Sequence, residues 1–92
     1  MEIFVFTGII WEEDGAYSAL CPELDVASQG RSPADAKEKL LEAAAAHLEG
    51  SFEDGLPYLR PIPPEEDPRQ LVPGDRLKLF KFKVDVAVRA YA

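Results

Sequence analysis

The stretch Cys21-Pro22-Glu23-Leu24-Asp25-Val26-Ala27-Ser28-Gln29-Gly30-Arg31-Ser32-Pro33-Ala34-Asp35 decides how this chain folds, because a strand ends at its start and a helix begins at its end. Pro22 stops the β run that precedes it, since proline has no amide to give to a ladder. Beyond the Pro22-Glu23 corner, residues 24–29 read as a short strand. Ser32 can then accept a hydrogen bond from a free amide of the first helical turn, Pro33 suits the first helical position, and Asp35 meets the positive end of the dipole. This predicts a helix over residues 33–54, with Ala36, Leu40, Ala43, Ala44 and Leu48 on its core face. Gly50 and Gly55 can both cap its end; Phe52 continues the apolar stripe and favours Gly55.

On the N-terminal side, residues 3–11 are rich in branched and aromatic residues and apolar on both faces, so this strand needs cover on both. Gly8, with no side chain to pack, marks a bulge or a close backbone approach. Asp14-Gly15 then signals a hairpin into a second strand, residues 16–21. Three strands joined by short links predict an antiparallel meander.

On the C-terminal side, residues 55–74 hold six of the eight prolines and read as an extended link. Residues 76–89 read as the last strand, with Phe80, Phe82, Val84, Val86 and Val88 alternating with polar positions. Leu77 and Leu79 have the opposite phase, which implies either a bulge or packing elsewhere. The order is β-β-β-α-β, an α+β class. A right-handed helical crossover places the last strand beside strand one and parallel to it. One helix covers one face of the sheet, so the other face, assigned here to Phe4, Phe6, Ile10, Leu77 and Leu79, is expected to meet a second copy in a homo-oligomer, a dimer or tetramer.

Ninety-two residues fit a single domain with a modest core. One cysteine excludes an internal disulfide and a cysteine-rich metal site. No apolar run is long enough to span a bilayer and the N-terminus lacks the basic flank and small-residue cleavage site of a signal peptide, so a soluble cytoplasmic protein is expected. The net charge of -7 argues against direct nucleic-acid binding. The charge is uneven: residues 1–75 carry 5 Lys and Arg against 16 Asp and Glu, whereas residues 76–92 carry 5 against 1. An acidic body with a basic last strand suits a basic partner or an opposite-charge contact between copies.

The run from Glu12 through Cys21-Pro22-Glu23-Leu24, then Ser28-Gln29-Gly30, Ser32-Pro33-Ala34-Asp35-Ala36, Leu40, Glu42-Ala43 and Gly55-Leu56-Pro57, resembles the HicB-like antitoxin family over nearly the whole chain. The resemblance implies a partial ribonuclease H-like β-β-β-α-β fold. It also implies a type II antitoxin that binds and blocks a small basic ribonuclease, the HicA-like toxin. Many members carry a C-terminal DNA-binding domain, which is not expected in this chain, and solitary members exist. The other readings are a solitary oligomeric domain with a different partner and, more remotely, a metal-dependent nuclease.

The candidate partner-binding residues are Glu12, Glu13 and Asp14 at the hairpin tip, with Glu23 and Asp25 at the corner. No catalytic, cofactor or metal residues are assigned, and the chain is expected not to be an enzyme. Two-metal nuclease chemistry needs carboxylates converging from strand and helix positions, and residues 3–11 contain none. His47 has no second His beside it, and Cys21 has no evident base or cation.

Overall fold

The computed structural model describes residues 4–85 and 87–92. Ile3 and Val86, read above as strand residues, lie outside them. Five strands, β1 (Phe4–Glu13), β2 (Ala16–Cys21), β3 (Val26–Gly30), β4 (Leu77–Val84) and β5 (Ala90–Tyr91), form one sheet in the order β3-β2-β1-β4-β5. One long helix, α1 (Pro33–Asp54), lies on one face. The class is α+β.

Asp14 and Gly15 form the two-residue β1–β2 turn with φ of 53° and 81°, the positive values that a tight hairpin loop requires. β3 begins two residues later than expected because Asp25 adopts φ 52°, which a strand cannot contain. At α1 the Ser32 hydroxyl accepts from the Asp35 amide at 3.0 Å, and Asp35 reaches back to the Arg31 amide at 2.9 Å. The helix ends at Gly55 in the left-handed conformation, its amide returning to Phe52 and Ser51 carbonyls.

The last long strand runs opposite to expectation. β4 pairs with β1 antiparallel, from Phe4↔Val84 to Trp11↔Leu77, with no break in register. The reason lies in the link. After α1 its extended chain bonds along the corner, Arg60 N–H to Glu23 C=O at 2.9 Å and Ile62 N–H to Pro22 C=O at 3.0 Å. It then makes a short turn at Pro64–Glu66 and a one-turn helix, α2 (Pro68–Leu71), and reaches the hairpin tip, where Leu71, Val72 and Pro73 lie around Trp11 to Asp14. β4 therefore enters the sheet from the tip end. A compact crossover would have delivered it from the other.

The two faces of β1 are also exchanged relative to the sequence reading. Phe6 and Ile10 belong to the core beneath α1 with Ala19, Cys21, Leu24, Leu40, Leu48 and Phe82, while Phe4 packs against Phe52 and Tyr58. These three side chains are thus engaged within the chain, not at an oligomer interface. The opposite face carries Val5, Thr7, Ile9 and Trp11. Ile9 is fully buried there, and the link, with Asp67 and Pro68 themselves buried, runs over that side.

Gly8 is a close approach: a Cβ there would fall 2.1 Å from Cζ of Phe80, its cross-strand neighbour. Leu77 and Leu79 need no bulge, because they share the link face with Lys81 and Lys83 while Phe80, Phe82 and Val84 face α1. β4 stops at Val84, five residues short of the expected end. Asp85 there accepts the amides of Ala87 and Arg89 at 3.0 and 3.1 Å, a local turn that competes with the ladder and folds β5 back.

Candidate protein-binding surface

The three acids of the tip are exposed and project differently. Glu13 lies on the link face, its Oε2 accepting from Trp11 Nε1 and Ser18 Oγ, both at 3.2 Å. Glu12 points to the helix side and lines a cleft of about 290 Å³ with Ile10, Tyr17, Pro33, Arg76 and Lys78.

The corner behaves otherwise. β2 leaves the sheet at Cys21, so the Thr7 amide of β1 has no strand to pair with on that side. The Glu23 carboxylate takes its place, accepting from Thr7 N at 3.1 and 3.2 Å and from Thr7 Oγ1 at 2.8 Å. Lys81 Nζ donates to the same hydroxyl at 2.8 Å. Glu23 is therefore an internal clasp, half-buried and committed, not a surface for a partner. Asp25 is exposed, but tip and corner sit at opposite ends of β2, roughly 17 Å apart for a strand of this length. The five candidate acids do not form one patch.

Cys21 is buried, and burial together with the neighbouring Glu23 carboxylate pushes its thiol up to about 12. It is a core side chain, not a nucleophile at neutral pH. His47 Nε2 donates to the Tyr58 carbonyl at 2.9 Å and so ties α1 to the start of the link. Among the described residues no group of three or more His, Cys, Asp or Glu is placed to hold a metal ion. Among the described residues no helix is long and apolar enough to cross a membrane.

No family model matches the chain, and no curated protein does. Among solved structures, a chain of a HicA3 and HicB3 toxin-antitoxin complex aligns with a TM-score of 0.55 at 24% identity, over 85% of this chain and 94% of that one. The two chains are similar in fold.

One acidic feature was not singled out in the sequence. Glu38, Glu42, Glu49 and Glu53 are all exposed on α1, and their spacing of four, seven and four residues sets them in a single row. Beside the first two, Leu41, Ala45 and Ala90 floor a cleft of about 370 Å³, closed at one end by Arg89. The signal was legible: glutamates at helical spacing on a face opposite the buried stripe.

Proposed function

We propose that this protein is a HicB-like antitoxin domain that binds a small basic ribonuclease of the HicA kind and occludes it. The observation that carries this reading is the similarity in fold, over most of both chains, to a member of a HicA3 and HicB3 toxin-antitoxin complex. Composition favours the antitoxin side of such a pair. A ribonuclease needs cations to hold the RNA backbone and a free acid-base pair, whereas this chain carries a net charge of -7 and its sole histidine is bonded to Tyr58. The retained part of a ribonuclease H-like arrangement is then a scaffold, the β1–β3 meander with α1 across it, and the protein is not an enzyme.

The binding surface combines the glutamate row of α1 with the tip acids Glu12, Glu13 and Asp14. Both are exposed, and their charge would steer a basic partner during encounter and match it in the complex. The small apolar floor of Leu41 and Ala45 supplies contact between the charges. The protein would act in the cytoplasm, where its partner meets RNA.

The test uses a purified small basic ribonuclease encoded next to this chain. Equimolar protein should abolish RNA cleavage, and Glu38→Lys/Glu42→Lys should weaken inhibition by tenfold or more while leaving the fold intact. Undiminished cleavage in the presence of excess protein would refute the proposal.

A second reading, a self-associating domain, is favoured by one observation. Val5, Leu71 and Leu79 remain 54%, 65% and 60% exposed on or beside the link face. The two readings are compatible.

A further inference from the structure

β4 has an outer edge that the sheet leaves open. The Thr7 amide points to the β2 side, where Glu23 receives it, so by the alternation of an antiparallel ladder Gly8 and Ile10 bond to β4. Their partners, Phe80 and Lys78, direct their own amides and carbonyls back to β1, and Leu77, Leu79 and Lys81 direct theirs outward. Asp85 agrees in phase, giving its amide to the Arg89 carbonyl on that outer side at 3.2 Å. β5 pairs with Lys83 and Val84, and the Leu77 amide returns to the Gly74 carbonyl. Among the described residues, no hydrogen bond reaches the amides of Leu79 and Lys81 or the carbonyls of Leu77, Leu79 and Lys81.

We infer that an extended segment of another protein, alternating acidic and apolar residues, adds a strand to this edge. β5 shows the direction, antiparallel to β4, and positions Leu77 to Lys81 continue the row that it begins. Charge chooses the occupant. Residues 76–83 hold four cations and no acid, in a chain of net charge -7. Arg76 and Lys78 are exposed, make no ion pair among the described residues, and line the cleft of about 290 Å³ on the α1 side, where Glu12 is the one acid. Lys37 lies over the Phe80 ring on the same side, 4.9 Å from its centroid. On the link face Leu79 is 60% exposed, while Lys81 is turned onto the Thr7 hydroxyl and offers an occupant its backbone rather than its charge. An incoming strand thus meets cations on one face and leucines on the other, which sets the alternation. A second copy's β4 would bring like charges edge to edge, and β3, the other edge of the sheet, has no charged residue with which to select a partner. This edge is opposite in charge to the surface assigned to a basic toxin, and the inference does not rest on that reading.

Backbone hydrogen exchange on the purified full chain, without any ribonuclease, tests it, with a capped synthetic heptapeptide of alternating valine and glutamate as the probe. In the free protein the Leu79 and Lys81 amides should exchange about a hundredfold faster than those of Lys78 and Phe80. The peptide should slow the first pair about tenfold or more, less so as salt rises, and leave the second pair unchanged. A peptide with the same valines and glutamates in two blocks, or with lysine in place of glutamate, should give no protection. Lys78→Glu should raise the dissociation constant of the alternating peptide about tenfold with an unchanged circular dichroism spectrum. Leu79→Pro, which removes an edge amide without touching a bond to β1, should abolish binding. Leu79 and Lys81 amides already slow in the free protein in a concentration-dependent way would mean that a second copy fills the edge. That result, equal protection by the blocked peptide, or no protection by the alternating one would each overturn the inference.

Discussion

Replacing Gly30 by alanine tests the joint between sheet and helix. A Cβ at Gly30 would lie 2.4 Å from the Ala36 amide nitrogen and 2.8 Å from both Ala36 Cα and the Asp35 carbonyl carbon. All three atoms are backbone of the first helical turn, so no side chain can swing aside. Ordinary contact begins at 3.4 Å, so α1 must retreat by about 1 Å. That helix carries Ala36, Leu40, Ala44 and Leu48, all fully buried, and a retreat unpacks the whole row. Overpacking and the gap opened behind it together should destabilise the protein by about 3 kcal/mol. With a urea slope of about 1 kcal/mol per molar for a chain this small, the unfolding midpoint should fall by about 3 M, followed through Trp11 fluorescence. Gly50→Ala is the matched control. Nothing lies within 4 Å of its Cβ position inside the same helix, so it should stabilise by up to about 1 kcal/mol. A Gly30→Ala midpoint within about 0.5 M of wild type would refute the steric account.

Three further outcomes are expected. Glu23→Ala strands the Thr7 amide and hydroxyl and should destabilise by about 2 kcal/mol, whereas Asp25→Ala, at the exposed side of the same corner, should cost under 1 kcal/mol in urea unfolding. Cys21, held up to about 12, should resist iodoacetamide at pH 8 in the folded protein and react on unfolding; because its folded value lies above its ordinary 9.0, stability should begin to decline as pH rises past 9. Asp85 is held below the ordinary 3.8, first by the Arg89 amide, so its contribution is present above that value and lost as pH falls below it; Asp85→Asn should flatten the acid limb of a stability profile.

The helix was legible because its signals are local: a cap, a proline, an acid and a terminal glycine act within a few residues of one another. The same holds for the Asp14-Gly15 hairpin. The direction of β4 was not legible, since Leu77 to Val84 reads identically in both directions of entry, and only the path of the link decides between them. The two apolar faces of β1 were legible as faces needing cover. What covered each was not, because a proline-rich segment has no periodicity to announce that Pro68 will be buried. Glu23 was misread for a related reason. As sequence it is an acid at a turn, and its role depends on an amide sixteen residues earlier that lacks a strand partner.

The pairing of β1 with β4 also has a consequence for synthesis. Phe4 and Val84 are cross-strand partners about eighty residues apart. At 5–20 residues per second, a ribosome needs about 4–16 s to deliver the second after the first. For that interval β1–β3 and α1 can form from neighbouring segments, while one edge of β1 stays open as a template for a wrong strand and Thr7 and Ile9 on its face await the link. The closing of that edge is the slow, non-local event in this fold. The lysines of β4 keep its own unpaired stretch charged until it arrives, so the strand that completes the sheet is also the one least prone to join a stranger.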